Sequence, residues 1–109
     1  MAKVKFIPIE TLLEMKANGE PFKLVEVLSK ESYETGHLPE AISMPVDDIE
    51  ILAPKLLKKT DTIIVYCASY HCQASTNATM KLQERGYAAV LDYKAGKKGW
   101  TDGGLELTR

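Results

Sequence analysis

Cysteine is scarce: the chain has two in 109 residues, too few to staple a domain that small secreted scaffolds would hold with several pairs. The expected compartment is therefore the cytoplasm, where a cysteine is more often free, catalytic or metal-bound. Long apolar runs are lacking too, and stretches such as Ile63-Ile64-Val65-Tyr66 fall far short of the ~20 residues that span a bilayer. Met1-Ala2-Lys3-Val4-Lys5-Phe6 does not develop into the apolar core of a secretory signal. Neither charge dominates, with 14 Lys+Arg against 15 Asp+Glu and a formal net charge of -1, so no field draws the chain to nucleic acid or an anionic membrane. Internal repeats and low-complexity tracts are also missing.

What is present suits one domain over residues 1–109, since the hydrophobic fraction of 45% and charged fraction of 27% match ordinary globular domains. Val4-Lys5-Phe6 reads as a short strand, and Ile9, Leu12 and Leu13 recur on one helical face up to the stop at Asn18-Gly19. Phe22 to Leu28 reads as a strand, and Ser29 caps a short helical turn through Thr35. Gly36-His37-Leu38-Pro39 breaks that turn, and Ala41 to Met44 is expected as a short buried strand ended by Pro45. Asp47-Asp48 opens a helical stretch whose buried side is Ile49, Leu52, Leu56 and Leu57, with Pro54 dividing it in two.

Thr62 to Tyr66 is a β-branched run without alternation, as in a central strand covered on both faces. A helix from Ser75 to Arg85, with Ser75 as N-cap and Gly86 beyond its end, precedes a last strand at Ala88 to Leu91. The Gly- and Lys-rich tail from Lys94 to Arg109, with its single Trp100, is expected to wrap the surface. Strands alternating with helices imply an α/β domain with a mainly parallel sheet. Ligands of such sheets sit beyond the carboxyl ends of the strands.

Cys67 follows the central strand directly, and Cys67-Ala68-Ser69-Tyr70-His71-Cys72-Gln73-Ala74 leads to the helix beginning near Ser75. A thiol here faces free helix amides, which stabilise an anion and lower a cysteine's pKa from ~8.5 toward neutrality. The same amides suit an oxyanion or a persulfide. The plainer alternative is a small buried hydrophobe ending a strand.

These residues resemble the single-domain rhodanese-like sulfurtransferases. The resemblance rests on Val65-Tyr66-Cys67, on Leu82-x-x-x-Gly86-Tyr87, and on Tyr93-Lys94-Ala95-Gly96-x-x-x-Trp100. Upstream, Leu24-Val25-Glu26-Val27 and Tyr33-Glu34-x-Gly36-His37-Leu38-Pro39-Glu40-Ala41-Ile42 look like the family's second signature. The resemblance implies a parallel five-stranded sheet flanked by helices on both faces. It also implies a loop cradling a nucleophile, Cys67, that takes up sulfane sulfur as a persulfide, with no bound cofactor.

The amides from Ala68 through Ser75, including Ser69, Tyr70, His71, Gln73 and Ala74, would form the anion cradle. The implied partners are a small sulfur donor, thiosulfate or a persulfide, and a thiol or sulfur-acceptor protein.

The loop departs from the family pattern: it is about two residues longer and holds neither Gly nor Arg. Arginine is the usual binder of a doubly charged donor, so weak turnover of thiosulfate is expected. Glu26 stands where the family has Asp, and Leu28 where it often has Arg. Glu26 either hydrogen-bonds the loop amides or is a strand-end charge facing water. Cys72 is a candidate second thiol, resolving or sharing the persulfide, and longer-loop members of the family carry one at this spacing. His71 offers a base or hydrogen-bond partner, whereas His37 is expected to organise a turn, and Tyr87 and Trp100 to pack.

Three other readings compete. Cys67, His71 and Cys72 lack the fourth ligand and paired spacing of a zinc site, so no metal is expected. A cysteine phosphatase or arsenate reductase needs a guanidinium where this chain has Gln73. The main alternative to a sulfurtransferase is a non-enzymatic binding module or dithiol redox sensor, because fold does not imply activity.

Overall fold

The computed structural model describes residues 3–109. Lys5–Phe6 (β1) leads to helix α1, Ile9–Ala17, which ends where Asn18 precedes Gly19 in a left-handed conformation at φ 69°. Strand β2, Lys23–Glu26, is shorter than its apolar run. Helix α2, Lys30–Thr35, starts where the Ser29 hydroxyl accepts the Ser32 amide. After strand β3, Ile42–Ser43, a 3-10 turn at Val46–Asp48 feeds helix α3, Ile49–Leu56. Strand β4, Thr62–Tyr66, helix α4, Ala74–Glu84, strand β5, Ala89–Tyr93, and helix α5, Gly96–Asp102, complete the fold.

All strand pairs are parallel in one five-stranded sheet of order β1-β5-β4-β2-β3. The Thr62–Tyr66 run is central, as its unbroken apolar character requires, and Ile63, Ile64, Val65 and Tyr66 are fully buried. Alternation divides the core between the two faces. Val25, Ile63, Val65 and Val90 pack with Ile49, Ala53, Ala78 and Leu82 of α3 and α4. Leu24, Ile64, Tyr66 and Tyr93 pack with Leu12 of α1 and Trp100 of α5. Each fully buried aliphatic side chain contributes about 1.5–3 kcal/mol, so both layers are needed to hold the sheet.

Four local expectations are corrected. Ala41 and Met44 are buried, but β3 lies at the sheet edge and its two residues are half-buried. Helix α3 runs through Pro54 rather than dividing there. Pro54 and Glu50 are both exposed, so the helix loses a backbone donor on its solvent side. Ala53 takes the buried place expected of Leu56, which is 41% exposed. The tail is not only a surface strap, because α5 buries Trp100 and its indole donates to the Glu106 carbonyl at 2.9 Å.

Candidate functional site

Parallel pairing brings the carboxyl ends of β2, β4 and β5 together, with Glu26 beside Tyr66 and Tyr66 beside Tyr93. Cys67 follows Tyr66 into a loop that ends at Gln73, and α4 begins at Ala74. Ser75 is therefore inside the helix rather than its N-cap, fully buried, with its hydroxyl turned to Cys67. The N-cap is Gln73, which makes no side-chain capping bond.

The floor of the loop is tied to α5. The Cys67 carbonyl accepts the Lys97 amide at 3.0 Å, and the Ala68 carbonyl accepts the Lys98 amide at 2.9 Å. Gly96 makes this approach possible, since its φ is 62° and a Cβ there would run into the Cys67 carbonyl oxygen.

Cys67 is fully buried and its thiol is surrounded by acceptors. It donates to the Cys72 carbonyl at 3.4 Å and to Ser75 Oγ at 3.5 Å, with the Ser69 carbonyl at 4.0 Å. Burial and a hydrogen bond to Cys72 push the Cys67 thiol above its ordinary range, against the pull of the Ser75 hydroxyl and amide. Cys72 is half-buried. Burial pushes its thiol up, but the hydrogen bond from Cys67, the Ala74 and Ala68 amides and the nearby Lys94 charge outweigh it and bring the pKa down. The expectation that the helix amides acidify Cys67 is thus corrected: the Ala74 amide of α4 and the Ala68 amide of the loop serve Cys72, and burial outweighs the Ser75 amide at the deeper sulfur.

The cradle is accordingly narrower than Ala68 through Ser75. Amides of Ala68, Ala74 and Ser75 face sulfur, whereas the Cys72 amide is spent on the Ser69 carbonyl at 3.0 Å. Tyr70 is 63% exposed and His71 and Gln73 are also exposed. Ser69, Tyr70 and His71 line a groove of about 260 Å³ against Ala95, Lys98, Gly99 and Asp102 of the α5 segment.

Glu26 faces neither water nor the loop amides. It is fully buried, accepting the Tyr66 hydroxyl at 2.8 Å and pairing with Lys97 at 3.1 Å through the same Oε1 atom. Tyr66 in turn accepts the Leu38 amide at 3.0 Å, and burial drives its phenol far above its ordinary range. Lys97 also donates to the Ser32 carbonyl at 2.8 Å. Since the Lys97 amide holds the Cys67 carbonyl, the carboxylate reaches the loop through α5.

His37 does organise a turn: its ring stacks on Tyr33 at 3.8 Å, and its backbone exchanges two hydrogen bonds with Thr108. Tyr87 and Trp100 are buried packing groups.

Lys94 and Lys97 escaped the sequence reading. Both follow the carboxyl end of β5, so parallel topology puts them at the Cys67 end of the sheet, and that position was the available signal. Among the described residues no three His, Cys, Asp or Glu side chains converge as metal ligands. No helix there is long and apolar enough to cross a membrane.

A sheet of this order with a cysteine loop between its central strand and the following helix defines a class, and comparison with known proteins agrees. The rhodanese-like domain model matches residues 9–102, and the chain belongs to that family. A protein of Allochromatium vinosum named sulfurtransferase is 29% identical over 104 residues, covering 95% of this chain and 94% of that protein. The putative sulfur carrier protein YrkF of Bacillus subtilis is 27% identical over 95 residues, 87% of this chain but 50% of the relative.

A Bacillus halodurans protein of known crystal structure has 30% identity and a TM-score of 0.87, over 95% of this chain and 76% of that one. The human single-domain sulfurtransferase, at 19% identity, covers 92% of this chain and 97% of its own with a TM-score of 0.76, a likeness of fold. Sulfur transfer in general is the chemistry that the names of these relatives carry.

Proposed function

We propose that residues 1–109 act as one rhodanese-like domain that carries sulfane sulfur as a persulfide on Cys67 and passes it to a thiol or other nucleophilic acceptor. The observation that carries this reading is a buried cysteine at the carboxyl end of the central strand, its sulfur 3.4 Å from the Cys72 carbonyl and 3.5 Å from the Ser75 hydroxyl at the start of α4. In the loading half-reaction a cysteine thiolate attacks the outer sulfur of a donor persulfide, and the donor leaves as a thiolate. In the delivery half-reaction an acceptor thiolate attacks the outer sulfur on Cys67, whose own sulfur leaves. No electrons are gained or lost overall, so the cycle calls for no redox cofactor. Burial shields the loaded sulfur from water and stray thiols, and the Ser75 hydroxyl and amide stabilise charge on Cys67. The pairing of Glu26 with Lys97 supports the loop floor from behind.

Thiosulfate is a poor donor on this reading. No arginine stands between Cys67 and Ser75, and the neighbouring lysines are engaged: Lys97 with Glu26, Lys98 with Asp102, Lys94 with the Cys72 carbonyl. A doubly charged anion meets no free bidentate cation there. Cysteine usage suits the cytoplasm as the place of action.

The test loads the protein with glutathione persulfide, removes the donor, and measures sulfur delivered to dithiothreitol. Wild type delivers an amount stoichiometric with protein, peptide mapping before delivery finds the added sulfur on Cys67, and thiosulfate loads far more slowly than the persulfide. Added sulfur that stays on another residue of wild type, with Cys67 unmodified, would place the carrier elsewhere. Reversible loss of two hydrogens without sulfur uptake would favour the dithiol sensor.

A further inference from the structure

Behind Cys72 lies a buried polar chain that the carrier reading does not use. Lys94 is 9% exposed, and its ammonium donates to the Cys72 carbonyl at 2.6 Å and to Thr76 Oγ1 at 3.0 Å. The Thr76 hydroxyl in turn donates to Asp92 Oδ2 at 2.8 Å. Asp92 is fully buried, and its other oxygen, Oδ1, has no partner. The lysine lies almost wholly inside the protein. Its nearest partners are a carbonyl of the loop and a hydroxyl, with the carboxylate one bond further back. The ammonium is thereby aimed at the Cys72 segment rather than neutralised at close range.

The two thiols differ in access and in surroundings. Cys67 is wholly covered, with oxygen acceptors around its sulfur. Cys72 is half-buried, and the groups that face its sulfur are donors: the Ala68 and Ala74 amides, the Cys67 thiol and the Lys94 charge. A donor molecule arriving from solvent therefore meets Cys72 first. It meets the sulfur whose pKa is drawn down, which favours the nucleophilic thiolate.

We infer that sulfur enters on Cys72 and is relayed to Cys67, with Lys94 as the positioning residue that fixes the Cys72 carbonyl and places a cation beside its sulfur. The inference rests on the carrier reading above and adds its point of entry. In the first step the Cys72 thiolate attacks the outer sulfur of a persulfide donor. The donor's sulfur–sulfur bond breaks and the donor leaves as its thiolate. In the second step the Cys67 sulfur attacks the outer sulfur of the Cys72 persulfide, the bond to Cys72 breaks, and the proton of the Cys67 thiol ends on the Cys72 sulfur. Each step exchanges one sulfur–sulfur bond for another, so no oxidant or reductant is consumed. The Cys67 thiol is already directed at residue 72, donating to its carbonyl at 3.4 Å.

The experiment is rapid-quench loading with glutathione persulfide across pH, read by intact mass and peptide mapping, on wild type, Cys67→Ser, Cys72→Ser and Lys94→Met. Expected are early sulfur on Cys72 that moves to Cys67 in wild type, sulfur trapped on Cys72 in Cys67→Ser, and loading at least about tenfold slower in Cys72→Ser. Lys94→Met should move the half-maximal pH of loading upward, a shift that loss of packing alone does not produce. Wild-type loading rates in Cys72→Ser, or no early sulfur on Cys72, would overturn the relay. An unmoved pH midpoint in Lys94→Met would overturn the role of the lysine. A wild type that takes up no sulfur at all would instead remove the carrier reading itself, so the two failures are told apart.

Discussion

At the residue scale, chemistry is divided by what each sulfur sees. Burial and the Cys72 side chain push the Cys67 thiol up, whereas the Cys67 thiol, two amides and the Lys94 charge bring Cys72 down, although only five positions of chain separate them. A lone side chain can also hold strain. Pro39 and Glu40 form the corner of a turn closed by the Ala41 amide on the Leu38 carbonyl at 3.1 Å, and Glu40 has a φ of 70°. Proline followed by positive φ is the type II pattern, which favours glycine at the second place. The Glu40 side chain is 87% exposed, and its pair with Lys16 at 3.5 Å is a surface ion pair of little worth. Glu40→Gly should therefore stabilise the protein by about 0.5–1 kcal/mol despite the entropy that glycine adds to the unfolded chain. Urea unfolding checks this, and a lower midpoint would contradict it.

At the element scale, α5 is the support of the cysteine loop. Its first amides hold the Cys67 and Ala68 carbonyls, and Lys97 ties it to the buried Glu26. Gly96→Ala combines a left-handed backbone with contact against the Cys67 carbonyl, and a loss of about 2–4 kcal/mol is expected. Thermal unfolding measures it, and a change below the error of the melt would show that α5 yields without cost. The helix was hidden in the sequence because Gly96 and Gly99 are poor helix residues, and what stabilises it is the burial of Trp100 and the bonds to the loop. By contrast β4 and α2 were legible, the first from its β-branched run and the second from Ser29 and Gly36 at its ends. Their causes are local.

At the scale of the whole molecule, the doubly covered parallel sheet and the place of Cys67 could be read from pattern and resemblance. The inner wiring of the site could not. Glu26 meets Lys97, and Lys94 meets Cys72, across separate elements, and only the juxtaposition of strand ends creates those pairs. The same juxtaposition hides one thiol and half-exposes the other, a distinction that spacing in a loop does not carry.

The central claim is that Cys67 holds transferable sulfur. Its most direct test is mass spectrometry with peptide mapping of wild-type protein after exposure to glutathione persulfide and removal of the donor. The account predicts the mass of one added sulfur atom on the peptide containing Cys67, released when a thiol acceptor is added. An unmodified Cys67 joined to Cys72 as a disulfide, with no sulfur gained, would contradict it.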